Sequence, residues 1–397
     1  MKKIISLIIL SIFLVGCGGK TIENNISITT VSQSQLVSEE ALGALKGEIV
    51  TFEDENLTED IRKIIKKPKG NILKSDVAKI TEYTYGGSGR IENLKGIENL
   101  INLEKLTMGN CRINDLIPLE NLTKLTYLDL SNGTIEDITP LKNLTNITYL
   151  NLFGNYNISD ITSLSKLISL KDLNLGRNNI SNLEALSDLA NLEYLNLCAN
   201  KISDLSPLYK LTELKTLDLA NNVEIRSVKS IYNLVNLKEL NLYDNKISDI
   251  THLKQLVNLE KLIIGKNNIR NLEPIKNMKT LNHLDIAYGK LNNLKGLEEL
   301  TNLKHLNLYY NQIENIEILG NLKALTVLVL TSNKIKNIDA LLNLVSMEEL
   351  WIDYNNISNI QALKNLINLK KLKLKGNPIE DYSYVESYYK NLEEKDF

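Results

Sequence analysis

The chain of 397 residues is long enough for two or three ordinary domains, or for one elongated domain. Its 43% hydrophobic and 24% charged residues are typical of a folded protein, and three cysteines are too few for a disulfide framework. A net charge of −2 argues against a dedicated nucleic-acid binder, so we expect no nucleic-acid partner.

The first 17 residues, MKKIISLIILSIFLVGC, have the pattern of an export signal. Two lysines precede an apolar run from Ile4 to Val15, which is shorter than the roughly 20 residues that a membrane-spanning helix needs. The ending Leu-Val-Gly-Cys resembles the lipobox of bacterial lipoproteins. That resemblance implies cleavage after residue 16 and attachment of a diacylglycerol to Cys17, whose two acyl chains would give stable anchoring. The alternative is an ordinary signal peptide with an incidental cysteine.

We therefore predict a lipoprotein signal peptide over residues 1–16 and a lipidated Cys17 at the start of a flexible tether over residues 17–45. The tether is rich in Ser, Thr, Gln and Asn and has no clear periodicity. The expected location is the cell membrane of a bacterium, on the side that faces out.

An amphipathic helix is predicted next, within an N-terminal cap over residues 46–76. The stretch 52–67 reads FEDENLTEDIRKIIKK, and Pro68 and Gly70 should end the helix. We expect this helix to cover the open apolar end of the first repeat. Its apolar face would carry four residues: Leu57, Ile61, Ile64 and Ile65.

The following residues form a tandem repeat with a period of 22. The copy at 234–255 reads LVNLKELNLYDNKISDITHLKQ. About fourteen units of 22–23 residues fill residues 77–379, and those that start at Val77, Leu144 and Leu211 carry one extra residue. Such a repeat predicts a solenoid, because no unit can bury its leucines without its neighbours.

Each part of the unit predicts a local structure. The L-x-L segment alternates apolar and polar residues, which indicates a short parallel strand. The I-S-D-I half predicts a tight convex turn, often a 3-10 helix. The asparagine three residues after the second leucine should turn inward and pair with backbone groups of its own turn and the next. Ten units have it: Asn155, Asn178, Asn200, Asn222, Asn245, Asn267, Asn311, Asn333, Asn355 and Asn377.

A C-terminal cap is predicted over residues 380–397. Residues 381–392, DYSYVESYYKNL, can form an aromatic-rich helix over the last unit. The strand before them, KKLKLKG, is expected at the edge of the sheet, where outward lysines resist pairing with another chain. These lysines are Lys371, Lys373 and Lys375.

The repeat unit, NLxxLxLxxNxIxDIxPL, resembles the bacterial internalin-type leucine-rich repeats, and FEDENLTEDIRKII resembles the helical cap of that family. The resemblance implies an α/β solenoid, a leucine-rich repeat horseshoe with a parallel concave sheet and helical caps at both ends. It also implies a protein without catalytic activity that binds host or cell-surface proteins on the concave face.

No common catalytic or nucleotide-binding motif occurs, such as G-x-S-x-G, H-E-x-x-H or a P-loop. We expect no enzyme activity, no cofactor and no metal. His283 and His305 share one outward column, with Asp285 nearby, and this spacing could hold a metal. The simpler interpretation is polar contact at an open surface.

Aromatic residues at outward positions are the candidate contacts with a partner, because rigid aromatic side chains dominate binding hot spots. We expect little loss of stability when Tyr309 and Tyr310 are replaced, since neither occupies a leucine or asparagine position. The main predicted surface contains Tyr243, His283, Tyr288, His305, Tyr309, Tyr310, Trp351 and Tyr354. The second-ranked group contains Tyr127, Tyr149, Phe153 and Tyr194.

The predicted function is binding of a protein partner by a monomeric, membrane-anchored protein at the cell surface, in adhesion or in contact with a host or with the envelope. The alternative is a structural lipoprotein that organises the envelope or binds cell-wall glycan, since aromatic faces also stack on sugars.

Overall fold

The computed structural model describes residues 47–85 and 91–397. The predicted signal peptide, Cys17 and the whole predicted tether lie outside the described residues. The chain divides into a first compact unit, Met1–Leu211, and a second, Thr212–Phe397. Within the described ranges, no helix combines the length and the apolar surface needed to cross a bilayer.

The described part of the first unit begins with a two-stranded sheet and two helices. Strand β1 (Ile49–Val50) pairs antiparallel with β2 (Ile72–Leu73). Helix α1 (Glu55–Ile64) lies between these strands in the chain, and α2 (Lys74–Val77) follows β2.

Asp54 fixes the start of helix α1. Its Oδ1 accepts hydrogen bonds from the backbone N–H groups of Asn56 at 2.9 Å and Leu57 at 3.2 Å, which the helix itself cannot pair. Its Oδ2 accepts a bond of 2.8 Å from the N–H of Glu92. One carboxylate therefore starts the helix and ties it to the chain of the first repeat.

The helix predicted over 52–67 is present but shorter, and its buried face is narrower than expected. Leu57 and Ile61 are fully buried, whereas Ile64 is 43% exposed and Ile65 is half-buried. Both residues lie at the C-terminal end of the helix, which ends at Ile64, and the chain turns at Lys66, where φ is 55°. The prediction that Ile64 is buried was wrong.

Six parallel strands of the first unit come from the repeats, and each has three residues. Consecutive strands align their central residues, as Leu128 with Leu150. The strands are β3 (Glu82–Thr84), β4 (Lys105–Thr107), β5 (Tyr127–Asp129), β6 (Tyr149–Asn151), β7 (Asp172–Asn174) and β8 (Tyr194–Asn196). The 3-10 helices in the described part of this unit are Ile97–Asn99, Ile117–Leu119, Thr139–Asn143, Thr162–Lys166, Glu184–Leu186 and Ser206–Lys210.

The second unit repeats this arrangement with nine parallel strands. They are β9 (Thr216–Asp218), β10 (Glu239–Asn241), β11 (Lys261–Ile263), β12 (His283–Asp285), β13 (His305–Asn307), β14 (Val327–Val329), β15 (Glu349–Trp351), β16 (Lys371–Lys373) and β17 (Glu394–Lys395). Its 3-10 helices are Lys229–Ile231, Thr251–Gln255, Glu273–Ile275, Glu317–Asn321, Asp339–Asn343, Gln361–Leu363, Ser383–Val385 and Tyr389–Asn391. The predicted leucine-rich repeat solenoid is thus confirmed in both units.

The core of each unit consists of the repeat leucines and isoleucines. The central leucine of a strand is buried, as in Leu128, Leu262 and Leu306, while the residues on either side point outward. Full burial of such a side chain contributes about 1.5–3 kcal/mol relative to exposure. The inward positions therefore fix the fold and leave the outward positions free to vary.

The predicted asparagine ladder pairs the backbone inside each turn. Asn267 Nδ2 donates to the carbonyl oxygens of Leu242 at 2.8 Å and Ile264 at 3.1 Å, and its Oδ1 accepts a bond of 2.9 Å from the N–H of Ile247. One buried side chain thus joins its own repeat to the preceding one, and not to the next one as predicted.

The extra residue of a 23-residue unit removes one bond from the next ladder asparagine. In the regular repeat, Ile247 N–H reaches Asn267 Oδ1. Within the 23-residue unit that starts at Leu211, Ile225 N–H instead donates to the carbonyl of Asn222, 2.9 Å away. Asn245 Oδ1 is then buried without a hydrogen-bond partner among residues 47–85 and 91–397. The unit that starts at Leu144 has the same effect: Ile158 N–H bonds Asn155 O, and Asn178 Oδ1 is unpaired.

A second asparagine ladder, absent from our predictions, runs through the asparagine that comes directly before the leucine or isoleucine leading into many of the strands. Asn258 Nδ2 donates to Val235 O at 2.9 Å, and Asn302 Nδ2 donates to Lys279 O at 2.7 Å. Each bond joins a repeat to the one before it. Further members are Asn102, Asn146, Asn191, Asn236 and Asn368.

The single helix predicted over 381–392 is absent. Two short 3-10 helices replace it, and β17 then pairs parallel with β16. Tyr388 is buried, and its hydroxyl donates to Leu363 O at 2.8 Å, which holds this segment in the repeat pattern. The prediction that the lysine strand forms the edge was also wrong, because Lys373 Nζ pairs with Glu394 at 2.8 Å on the added strand.

The two ladder asparagines Asn267 and Asn245 provide a matched comparison. Both donate Nδ2 to three carbonyls, but only Asn267 Oδ1 accepts a backbone bond. We expect Asn267→Ala to lower the free energy of unfolding by about 1 kcal/mol more than Asn245→Ala, because it also leaves Ile247 N–H unpaired. Chemical denaturation of both variants measures the difference, and equal losses would contradict this role of the ladder oxygen.

Candidate functional site

The candidate site lies on the outward side of the strands. In most strands the first and third residues are partly exposed and the central one is buried. Two more positions follow the second repeat leucine before the chain turns in at the ladder residue. We call the surface formed by these positions the outward face.

Three tyrosines of the second unit form a contiguous group on this face. We call Tyr288, Tyr309 and Tyr310 the tyrosine cluster. The ring of Tyr288 meets Tyr309 edge to face at 4.9 Å between centroids, and Tyr310 lies 5.7 Å from Tyr288 and 6.0 Å from Tyr309. Tyr310 is 59% exposed, and the other two rings are half-buried.

The backbone fixes the direction of two of these rings. Tyr288 and Tyr310 both have a φ of 53°, in the left-handed region, which a bulky residue seldom adopts. Tyr354 has the same φ and is 46% exposed. Other repeats place Asn110, Asn132, Asn221, Gly154 and Gly376 at this position, also with positive φ. The frequency of Asn and Gly there was a signal for the left-handed position that we did not use.

The remaining predicted aromatic residues of the second unit are not part of the tyrosine cluster. Tyr243 is half-buried two strands before Tyr288. Trp351 is also half-buried, because Lys373 Nζ lies over its ring at 4.1 Å from the centroid. Its indole nitrogen is buried without a hydrogen-bond partner among the described residues. Trp351 is therefore less open than its sequence position suggested.

His283 and His305 form a stack and do not lie separately at an open polar surface. Their ring centroids are 4.1 Å apart, and the planes differ by 5°. Burial, with the nearby charges of His305 and Lys261, lowers the pKa of His283 to about 3. Burial also lowers the pKa of His305. Both rings are therefore neutral at physiological pH. Among the described residues, no group of three or more potential ligands is arranged to hold a metal ion.

The polar third position of several strands is structural. Asp285 Oδ1 accepts a bond of 2.9 Å from Ala287 N–H, and Asn307 Nδ2 donates to Asp285 Oδ2 at 2.7 Å. Asp218 has the same kind of partners, and burial raises its pKa to about 7. These side chains stabilise the outward face, because they bond the backbone that follows their own strand and the side chain of the next strand.

The second-ranked aromatic group lies in the first unit. Tyr127 and Tyr149 stack with centroids 4.1 Å apart and planes that differ by 1°, and Lys105 Nζ lies 5.0 Å from the centroid of Tyr127. Arg177 covers Phe153 at 5.4 Å from the ring centroid. Tyr194 is half-buried on the last strand of this unit.

Comparisons with known proteins agree with this geometry. No curated protein sequence is significantly similar to the chain. A family model described as leucine-rich repeats in two copies matches residues 101–143, 123–166, 168–210, 190–224, 212–255 and 301–343.

Solved structures extend the match. An internalin (inlF) of Listeria monocytogenes is 31% identical, with 90% of this chain and 97% of that chain covered and a TM-score of 0.74. A leucine-rich repeat protein of Leptospira interrogans is 23% identical, with 82% and 97% covered and a TM-score of 0.65. A plant peptide hormone receptor, RGFR1, in complex with RGF2 is 24% identical, with 77% and 52% covered and a TM-score of 0.65. The last two show the fold alone.

The fold and the family model define a leucine-rich repeat protein, a class that commonly serves as a scaffold for protein interaction. The chain belongs to the internalin-like leucine-rich repeat proteins.

The histidine stack predicts how stability depends on pH. Both histidines have a folded-state pKa below the ordinary value of 6.5, so their contribution to stability is fully present above pH 6.5 and is lost as the pH falls, for His283 toward a pKa of about 3. We expect the free energy of unfolding to fall by up to about 1 kcal/mol per pH unit between pH 6.5 and 5. The His283→Asn/His305→Asn variant should show a shallower slope in chemical denaturation.

His252→Asn is the control for this experiment, because His252 lies in a 3-10 helix outside the stack. A double variant that kept the slope of the unsubstituted protein would contradict the assignment of the acid sensitivity to the stack.

Proposed function

We propose that the protein binds a protein partner through the outward face of the second unit and is held at the cell surface by a lipid on Cys17. The observation that carries this proposal is the tyrosine cluster, in which a 59% exposed ring is supported by two half-buried rings. The protein acts as a monomeric scaffold without catalytic activity, in adhesion or in contact with a host or with the envelope.

The local structure supports protein binding in two ways. Large aromatic side chains bury much area with few rotatable bonds, and they are enriched among the residues that dominate interface energies. The left-handed backbone at Tyr288 and Tyr310 fixes the origin of each ring before any partner arrives. A pre-organised surface has less entropy to lose on binding.

The relatives support the same conclusion. The structure of RGFR1 is a complex with RGF2, so a scaffold of this fold can hold another molecule. The relation to an internalin supports a place at the outside of a bacterial cell.

Binding of cell-wall glycan, by a lipoprotein that organises the envelope, is the second candidate function. The parallel stack of Tyr127 and Tyr149 favours it, because flat aromatic surfaces suit the apolar faces of sugar rings. Retention on isolated cell wall, without capture of any protein, would favour this candidate.

Capture of a partner by the full chain tests the main proposal. We expect the Tyr309→Ala/Tyr310→Ala variant to recover at least about tenfold less partner after cross-linking and quantitative mass spectrometry, because each hot-spot tyrosine contributes about 2 kcal/mol or more. Tyr156→Ala is the control, since Tyr156 is 65% exposed but lies in the first unit, in the turn after Asn155. If the two variants recovered equal amounts of partner, the tyrosine cluster would not be part of the interface.

The lipid anchor has its own test. We expect Cys17→Ser to move the protein from the membrane fraction to the soluble or secreted fraction and to abolish labelling by a fatty-acid analogue, because serine provides no thiol for the diacylglycerol. An unchanged membrane fraction together with unchanged labelling would contradict the anchor at Cys17. Loss of labelling with retention at the membrane would show a second means of attachment.

A further inference from the structure

A row of hydrogen-bond donors borders the tyrosine cluster. The residue after each ladder position begins the turn away from the outward face. In the middle of the second unit these residues are Lys246, Asn268, Lys290, Gln312, Lys334 and Asn356, which we call the rim row; Val223 and Pro378 hold the same position at the two ends of the unit and are not part of it. The rim row contains no carboxylate, although the whole chain carries a net charge of −2.

Successive repeats keep this row in register. Gln312 N–H donates to Leu291 O at 2.8 Å, and Lys334 N–H donates to Ile313 O at 2.9 Å, so the chain repeats the same backbone path after each ladder residue. At a spacing of about 4.8 Å between parallel segments, Lys290 and Lys334 flank Gln312 with their α-carbons about 10 Å apart.

The charges of the two flanking lysines are not neutralised by a carboxylate in the described residues. Lys290 Nζ donates to the amide oxygen of Asn268 at 2.7 Å, which leaves its positive charge in place. Lys334 is exposed and has no acidic partner in the described ranges. By contrast, Lys246 pairs with Glu224 at 2.7 Å, so the net positive part of the row is its middle.

Other charged groups around the cluster do not cancel this field. Lys266 forms an ion pair with Asp244, so that pair adds no net charge. Glu314 is exposed two residues after Gln312, and Lys336 is exposed two residues after Lys334, so these two opposite charges balance each other and leave the charges of Lys290 and Lys334 as the net charge of this region.

The exposed ring of Tyr310 and the middle of the rim row belong to the same repeat. Tyr310 lies immediately before the buried Asn311, and Gln312 lies immediately after it. Lys290 has the same relation to Tyr288 through Gly289. An apolar anchor and a pair of uncompensated cations are therefore presented side by side.

We propose that this surface receives an acidic segment of a protein partner, with an aromatic or aliphatic side chain against the tyrosine cluster and Asp or Glu carboxylates against Lys290, Gln312 and Lys334. This inference rests on the proposed function and specifies the kind of partner. The three rings are tilted or edge to face, so they offer no flat shared surface for the face of a sugar, whereas an aromatic or aliphatic side chain can pack against them. The lysines supply the charge complementarity.

The test uses the full chain and two fluorescein-labelled peptides, Gly-Glu-Glu-Tyr-Glu-Glu-Gly and its version with glutamine at every glutamate. We expect the acidic peptide to bind about fivefold more tightly by fluorescence anisotropy at low ionic strength, and the preference to fall as salt is added. Lys290→Gln/Lys334→Gln should abolish the preference. Tyr310→Ala should weaken binding of both peptides.

Lys254→Gln/Lys364→Gln is the matched control, because it makes the same change in net charge with two exposed lysines that lie away from the outward face. Equal loss of preference in the control would overturn the proposal, since the effect would then come from overall charge. Lack of any preference in the unsubstituted protein would also overturn it. Binding of a polyuronate but not of the acidic peptide would assign the surface to an anionic glycan and reject the protein segment. These outcomes are independent of partner capture by the Tyr309/Tyr310 variant, so the two proposals can fail separately.

Discussion

Pairing of buried backbone groups inside each turn is the constraint on which the rest of the structure depends. A single unit of 22 residues cannot pair all the backbone N–H and C=O groups that are buried in its turn. These groups therefore need hydrogen-bond partners in a neighbouring unit. The ladder asparagines meet this need with one side chain that both donates to and accepts from the preceding unit, as Asn267 does with Leu242 O and Ile247 N–H. The second ladder, of which Asn258 is a member, does the same at the other end of each strand. Together they hold the leucines in a stack that no single repeat could form.

This division of labour explains why the outward face can carry function. The inward leucines bury the apolar surface and the inward asparagines pair the buried backbone groups, so most outward residues contribute little to the stability of the solenoid. The repeat can therefore present a stack of histidines, a tyrosine cluster or a row of lysines without a change in its backbone. The exception is the third strand position, where buried Asp and Asn side chains support the face from below.

Much of the fold could be predicted from the sequence because each position of the unit recurs in about fourteen copies, which makes its residue preference visible. The strands, the turns and the first asparagine ladder were all predictable from a single unit. The two predicted caps were harder to predict, because each occurs once and cannot be compared with other copies. At the N-terminal cap, Ile64 is exposed. At the C-terminal cap, two short 3-10 helices and a strand replace the predicted helix. The second ladder was missed because the asparagine before the leucine or isoleucine looked like an ordinary surface residue.

The candidate site was only partly predictable, for a different reason. Column alignment placed Tyr288, Tyr309 and Tyr310 on one face, but it could not show which rings touch or which are covered. Trp351 looked open in the sequence, and only the fold showed Lys373 above its ring. The stacking of His283 on His305 depends on ring orientation, which residue spacing does not determine.

The extra residue of the longer repeats shows how this architecture tolerates insertions. In an ordinary sheet, one added residue would reverse which side chains face the core from that point onward. Here the strands after the insertions keep their alignment, with Leu150 still beside Leu173 and Leu217 beside Leu240. The inserted residue changes only one turn, and its effect in the described residues is that the side-chain Oδ1 of the following ladder asparagine lacks a hydrogen bond. Such a chain can gain or lose residues in its turns during evolution and still preserve every later position of its binding surface.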